Sequence, residues 1–211
     1  MKEKASPFPV SSIEFDKVYR VMDKRKLSGY TERELSFLLG YRPLYVRDVE
    51  NPIHTLRYTT KDTNYLLQIF ECELSEIMPG KITEPFYQVK VEVKESGREV
   101  TYTVYQMITK TINLYREFTV TDQGPTSDSD FQMISKVEDF IEVLIDQTYF
   151  ITPKTTLQLF KVCLEKFGNS IKPRYLSEAL KKYTPLKAPN RLSAEKNESG
   201  RTVYYLDNSS L

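Results

Sequence analysis

YTERELSFLLGYRPLYVRDVENP, residues Tyr30 to Pro52, reads as two short helices joined by a tight turn. Thr31 is placed to cap the first helix, since its hydroxyl can accept from a free N–H of the first turn, and Glu34 three residues on completes a capping box. Leu35, Leu38 and Leu39 form one apolar stripe at helical spacing. Gly40 stands where the stripe stops, at the left-handed position that lets a chain leave a helix sharply. Pro43 suits the first turn of a second helix, where its missing N–H costs nothing. Tyr45, Val46 and Val49 supply that helix with an inward face. Ser36 is small at the point where two steeply crossing helices need a small side chain.

Outward from this stretch, the segment Ile13–Leu27 predicts a preceding helix with Ile13, Phe15, Val18, Tyr19, Met22 and Leu27 on one stripe. Lys17, Arg20, Lys24, Arg25 and Lys26 crowd its outer face. Thr60 to Met78 predicts two more helices, the first capped by Thr60 or Asp62 and buried through Tyr65, Leu66, Ile69, Phe70 and Leu74. Pro79-Gly80 stops the unit.

The pattern resembles the helix-turn-helix of the lambda-repressor/Cro-like (Xre) family of DNA-binding regulators. The matching residues are Thr31, Leu35, Ser36, Leu39, Gly40, Tyr41, Val46, Val49 and Glu50, with Asn51-Pro52 ending the unit, and the flanking helices extend the match over roughly a third of the chain. The resemblance implies a five-helix domain whose second motif helix, residues 43–50, enters the major groove of double-stranded DNA. Carried onto this sequence, the reading face is Arg42, Pro43, Leu44, Arg47 and Asp48. Arg42 and Arg47 would donate bidentately to guanine, and Leu44 would touch a thymine methyl. Thr31, Arg33 and Tyr45 would contact phosphates. The sequence departs from the family at Glu32, where Gln is common, at Pro43 and Leu44, which replace polar residues, and at Asp48, which adds negative charge to the reading face.

The 211 residues suit one large or two small domains, and 40% hydrophobic with 28% charged residues is ordinary for a globular protein. The net charge is +1, so a nucleic-acid surface has to be local. Cys72 and Cys163 lie in separate apolar runs with no CxxC pair, which reads as buried free thiols in a reducing cytoplasm. With His54 the only histidine, a His/Cys metal site is not expected. No apolar run reaches about 18 residues, and the first twelve lack the apolar core of a signal peptide, so neither a membrane span nor a secretory leader is expected.

Residues 1–12, with Pro7 and Pro9, read as a flexible lead-in to a helix-turn-helix domain over 13–83. From Pro85 the pattern changes. FYQVKVEVKESGREVTYTVYQMI alternates apolar and polar residues around Ser96-Gly97, a strong β-hairpin signal for a region spanning 84–120. Ile108–Val120 is open between a further strand and a short helix. TDQGPTSDSD, 121–130, reads as a linker. In 131–211, Phe131–Phe150 carries Ile134, Val137, Phe140, Ile141, Leu144 and Ile145 on one helical face. Thr152-Pro153 opens a second helix that Gly168 closes, and Pro173 opens a third that Pro185 ends. RLSAEKNESGRTVYYL reads as two strands around Ser199-Gly200. This order resembles a winged helix, and Arg174, Lys181, Lys182 and Arg201 form a candidate second DNA contact. The fold class expected is therefore mainly α with small β (α+β): a five-helix lambda-repressor-like domain, a central hairpin and a winged-helix-like unit.

Nothing in the sequence supports enzyme chemistry. There is no G-x-x-x-x-G-K-[ST], G-x-G-x-x-G or G-x-S-x-G, and seven glycines leave little material for phosphate-cradling loops. No cofactor is expected. The expected function is sequence-specific double-stranded DNA binding by a transcriptional regulator. The alternative is a protein-interaction module on a helix-turn-helix scaffold that no longer binds DNA, with a homodimer or protein partner engaged through the hairpin or the C-terminal unit.

Overall fold

The computed structural model describes residues 6–108, 111–121, 128–184 and 191–206. The chain folds into two compact units, each drawn from two separate stretches: 1–24 with 48–125, and 25–47 with 126–211.

The first unit is built on an antiparallel sheet of order β1-β2-β3-β4, with β1 at Phe8–Ser11, β2 at Phe86–Ser96, β3 at Glu99–Ile108 and β4 at Thr111–Thr121. Gly97, at φ 61°, supplies the positive φ that a two-residue hairpin turn requires, and it sets Ser96 opposite Glu99. That register brings Val91 opposite Val104 and Val93 opposite Tyr102, so one sheet face is apolar. Helix α1 (Ser12–Leu27) lays Phe15, Tyr19 and Met22 on this face, where they are buried with Val10, Val89, Val91, Val104 and Phe118. A register shift in β4 pairs Val104 with Arg116 and Tyr105 with Leu114, leaving Tyr115 between them to pack on the same core. Asp16 of α1 accepts from the hydroxyls of Tyr87 (3.2 Å) and Tyr115, tying the helix to β2 and β4.

Two further helices, α4 (Thr60–Phe70) and α5 (Leu74–Ile77), complete this unit. Thr59, not Thr60 or Asp62, caps α4. Its hydroxyl accepts from the Asp62 N–H and the Asp62 carboxylate accepts from the Thr59 N–H, so Asp62 is the third-residue partner of a capping box.

The second unit contains α2 (Glu32–Leu38), the first turn of α3 (Tyr45–Glu50), α6 (Asp128–Asp146), α7 (Thr156–Phe167) and α8 (Pro173–Tyr183). Its three-stranded sheet has the order β5-β7-β6, from β5 at Lys154–Thr155, β6 at Leu192–Lys196 and β7 at Thr202–Leu206. Helix α8 packs against α6 and also against α2, and α2 touches α7 as well.

Several expectations are corrected here. The class is α+β with eight helices and two antiparallel sheets among the described residues, and a separate five-helix N-terminal domain is not formed. The stripe Leu35, Leu38 and Leu39 is fully buried as its spacing requires, but α7 and α8 of the C-terminal stretch provide the contact. Thr156 donates from its hydroxyl to the Leu38 carbonyl at 3.1 Å across 118 residues of sequence. An amphipathic stripe specifies that a face is buried and not by which partner. Residues 8–11 of the expected lead-in pair with β2, and the central hairpin is one half of a four-stranded sheet, since a lone hairpin cannot cover its own apolar face. The second C-terminal helix begins three residues later than Thr152-Pro153 implied. Thr155 and Gln158 form a full capping box, while Lys154 and Thr155 pair with β7. The expected linker at 121–130 lies mostly outside the described residues.

Candidate nucleic-acid interface

Thr31 caps α2 as a capping box, its hydroxyl accepting from the Glu34 N–H at 3.1 Å and the Glu34 carboxylate accepting from the Thr31 N–H at 2.9 Å. Ser36, fully buried, donates to the Glu32 carbonyl at 2.6 Å and accepts from the Val46 N–H at 3.0 Å. Val46 lies in the first turn of α3, where backbone N–H groups have no partner within the helix. One small hydroxyl therefore fixes where the two helices cross. The turn between them is at φ 72° on Gly40, and the chain then makes a reverse turn in which Tyr45 N–H donates to the Arg42 carbonyl at 3.0 Å. Pro43 and Leu44 sit in that turn, so α3 starts two residues later than expected from Pro43.

The β6–β7 hairpin is fastened to this turn. The Gly40 carbonyl accepts from Thr202 N–H (2.8 Å), Thr202 hydroxyl (3.1 Å) and Lys196 Nζ (2.8 Å). Arg201 is 1% exposed, and its Nη1 donates to the Leu39 carbonyl at 2.5 Å. Its guanidinium lies 5.0 Å from the centroid of the Tyr41 ring, and Tyr41 packs on Tyr45, the first residue of α3, with centroids 4.1 Å apart. Burial, with Arg201 as second cause, pulls the Lys196 ammonium below its ordinary range.

The structure sorts the residues expected to meet DNA. Arg33, Arg42, Pro43, Leu44 and Arg47 are exposed. Arg33 and Arg47 form no ion pair among the described residues. Thr31 is half-buried with its hydroxyl engaged in the cap, and Tyr45 is buried under Tyr41, so both belong to the frame. Asp48, the next residue after Arg47 in α3, is half-buried. Glu32 accepts from the buried Arg25 guanidinium at 3.1 Å, which offsets the negative charge it brings to this end of α2.

The second candidate surface is not assembled as expected. Arg201 is interior. Arg174 pairs with the buried Asp130 at 2.7 Å, Lys181 with Glu178 at 2.7 Å and Lys182 with Glu138 at 2.9 Å. The hydrogen bond to Glu138 holds the Lys182 ammonium above its ordinary value. Arg191 likewise bridges Glu142 and Asp146, at 3.0 and 2.8 Å. Helix α8 buries Tyr175, Leu176, Ala179, Leu180 and Tyr183 against α6 and α2 and leaves Lys181 and Lys182 exposed, each beside a carboxylate. Sequence reading missed Lys196 and Thr202 as partners of Gly40. The Ser199-Gly200 turn was visible, but its docking point 160 positions earlier left no local signal.

Charge is divided between the two units. The 25–47/126–211 unit contains 17 Lys and Arg against 13 Asp and Glu, and the other unit 13 against 16. The basic surplus thus falls in the unit that presents Arg33, Arg42 and Arg47.

The other unit has a cavity of about 510 Å³ lined by Ile13, Lys17, Tyr58, Thr63, Leu74 and Met78. Lys17 donates there to Thr63 Oγ1 at 2.6 Å and to the Tyr58 and Thr59 carbonyls at 3.3 Å. Burial pulls its ammonium below the ordinary range. Among the described residues no group of His, Cys, Asp and Glu is arranged to hold a metal ion. His54 accepts from the Leu56 N–H at 3.0 Å as a loop residue. No helix of the described residues is long and apolar enough to cross a membrane. Compared with family models, curated proteins and solved structures, the chain finds no match.

Proposed function

We propose that this chain is a sequence-specific double-stranded DNA-binding protein, acting as a transcriptional regulator, that reads the major groove from Arg42–Arg47. The observation that carries this reading is the exposure of Arg33, Arg42 and Arg47 around a helix-turn-helix whose interior faces are fully packed. A side chain kept in solvent while its helix is locked costs little to bring to a groove, and arginine is the residue best shaped for a guanine edge. Leu44, 39% exposed between the two arginines, supplies an apolar contact suited to a thymine methyl. Arg33, exposed on the preceding helix, would contact phosphate.

The test is selection of bound duplexes from a random pool, followed by titration of the selected site with Arg42→Ala and Arg47→Ala. Each replacement is expected to cost about 1–3 kcal/mol on that site and to relax the preference at one base position. A uniform loss over all sequences would make them phosphate contacts. Absence of any duplex affinity at low salt would sink the reading.

A protein-interaction role has a different observation behind it. On β4, Ile112 and Leu114 are 53% and 63% exposed and stand opposite Met107 and Tyr105, which puts an apolar patch on the outer sheet face. A chain with no duplex affinity that associates in solution would favour this second reading.

A further inference from the structure

We infer that Arg201 is a positioning residue for α3: from the β6–β7 hairpin it holds the turn between the two helices so that Arg42 and Arg47 are presented in one fixed geometry. The inference rests on the DNA-binding reading and assigns the hairpin a part in it that involves no contact with nucleic acid.

Three features converge on Leu39–Tyr41. Arg201 is buried and donates to the Leu39 carbonyl, one of the C-terminal carbonyls of α2 that have no partner within the helix. The Gly40 carbonyl accepts three hydrogen bonds, all from the hairpin residues Lys196 and Thr202. Arg201 also lies over Tyr41, and Tyr41 packs on Tyr45 at the start of α3. Displacing the guanidinium therefore loosens the carbonyl that ends one helix and the aromatic pair that begins the next. Arg42 and Pro43, which follow the clamped residues directly, are exposed. A short α3 of six residues cannot fix its own orientation by length, so the contacts at its start matter: Ser36 holds the Val46 N–H, and the clamp acts beside it through Tyr41 on Tyr45. Binding groups held by a rigid support lose less freedom on association than groups on a loose turn.

The experiment uses the full chain and compares it with Arg201→Met, which keeps the stem but removes the donor and the cation over Tyr41, and with Arg201→Lys as the milder variant. Amide exchange of residues 39–47 is read beside the thermal midpoint, and duplex affinity is read as a function of salt. The expected result is faster exchange at 39–47 and about tenfold weaker binding, with the salt slope unchanged because no phosphate contact is lost. A salt slope smaller by about 0.9 would make Arg201 a direct phosphate contact and overturn the inference. Exchange at 39–47 equal to the parent's in a folded variant would also overturn it. If Arg201→Met does not fold, Arg201→Lys decides by the same exchange criterion. A parent chain without duplex affinity would remove the DNA reading alone, because the exchange result still says whether Arg201 holds α3.

Discussion

Gly40 sits at φ 72°, and a Cβ placed there would come within 3.0 Å of both the Arg201 Cβ and the Thr202 backbone nitrogen. Two penalties combine at this residue. The left-handed backbone costs a non-glycine residue about 1–2 kcal/mol, and crowding a packed contact costs typically about 1–3 kcal/mol more. Gly200, in the same unit, has φ 74° but open space around its Cβ position, so only the first penalty applies. Gly40→Ala is therefore expected to lower the urea unfolding free energy clearly more than Gly200→Ala. Equal losses for the two variants would show that the hairpin does not press on the turn. Ser36 makes a related point. The sequence shows only that a small side chain is needed there. The structure adds that its hydroxyl also satisfies the Val46 N–H, which an alanine of nearly the same size cannot do.

At the scale of elements, the sheet β1–β4 and helix α1 are joined by a polar contact inside an aromatic cluster. Phe15, Tyr19, Tyr87 and Tyr115 pack edge-on or tilted on one another, and the Asp16 carboxylate accepts from the hydroxyls of Tyr87 and Tyr115. Burial is the first cause, and Asp16 the second, that pushes the Tyr115 hydroxyl well above its ordinary range. Asp16→Ala leaves two partly buried hydroxyls without their acceptor. The expected loss is about 1–3 kcal/mol, read from chemical denaturation followed by tyrosine absorbance. Tyr115→Phe in the Asp16→Ala background should then cost little, because the orphaned group is gone. A full additional loss would mean that the two residues act separately. The C-terminal helices show the opposite balance. The lysines of α8 stand exposed beside Glu178 and Glu138, in pairs worth little to stability.

For the whole molecule, alkaline stability is the clearest prediction. Burial pushes the Cys163 thiol and the Tyr204 hydroxyl each up to about 12, from ordinary values of 9.0 and 10.0. Tyr19 is also pushed up by burial. Each of these acids keeps its proton in the folded state after the unfolded chain has released it. The unfolded state then binds fewer protons, and stability falls with rising pH. The contribution is fully present below the unfolded value and is lost between 9.0 and about 12 for Cys163, and between 10.0 and about 12 for Tyr204. Lys17 and Lys196 have the opposite sign, since their depressed ammonium groups add stability as pH rises toward 10.5, but they stand against the raised acids Cys163, Tyr204, Tyr19 and Tyr115. Urea midpoints measured from pH 8 upward should fall, and Cys163→Val should remove the part of the fall that begins near 9.0. An unchanged slope in that variant would refute the assignment to Cys163.

What was legible in the sequence was local. The capping box at Thr31 and Glu34, the glycine that turns the chain at 40, the hairpin at Gly97 and the proline that opens α8 each depend on a few neighbouring residues, whose preferences act through the backbone alone. Exposure of Arg33 and Arg47 follows from the same helical periodicity that buries Leu35, Leu38, Val46 and Val49, while Arg42 is exposed in the turn between the helices. Pairing was decided only by the tertiary structure. An apolar stripe is satisfied by any apolar surface of suitable shape, so the spacing of Leu35, Leu38 and Leu39 did not distinguish neighbouring helices from α7 and α8, more than a hundred residues away. In the same way, Arg201 beside a turn has the sequence appearance of a free cation at a hairpin tip. Packing against Gly40 placed it inside, where a carbonyl and an aromatic ring replace water around its charge.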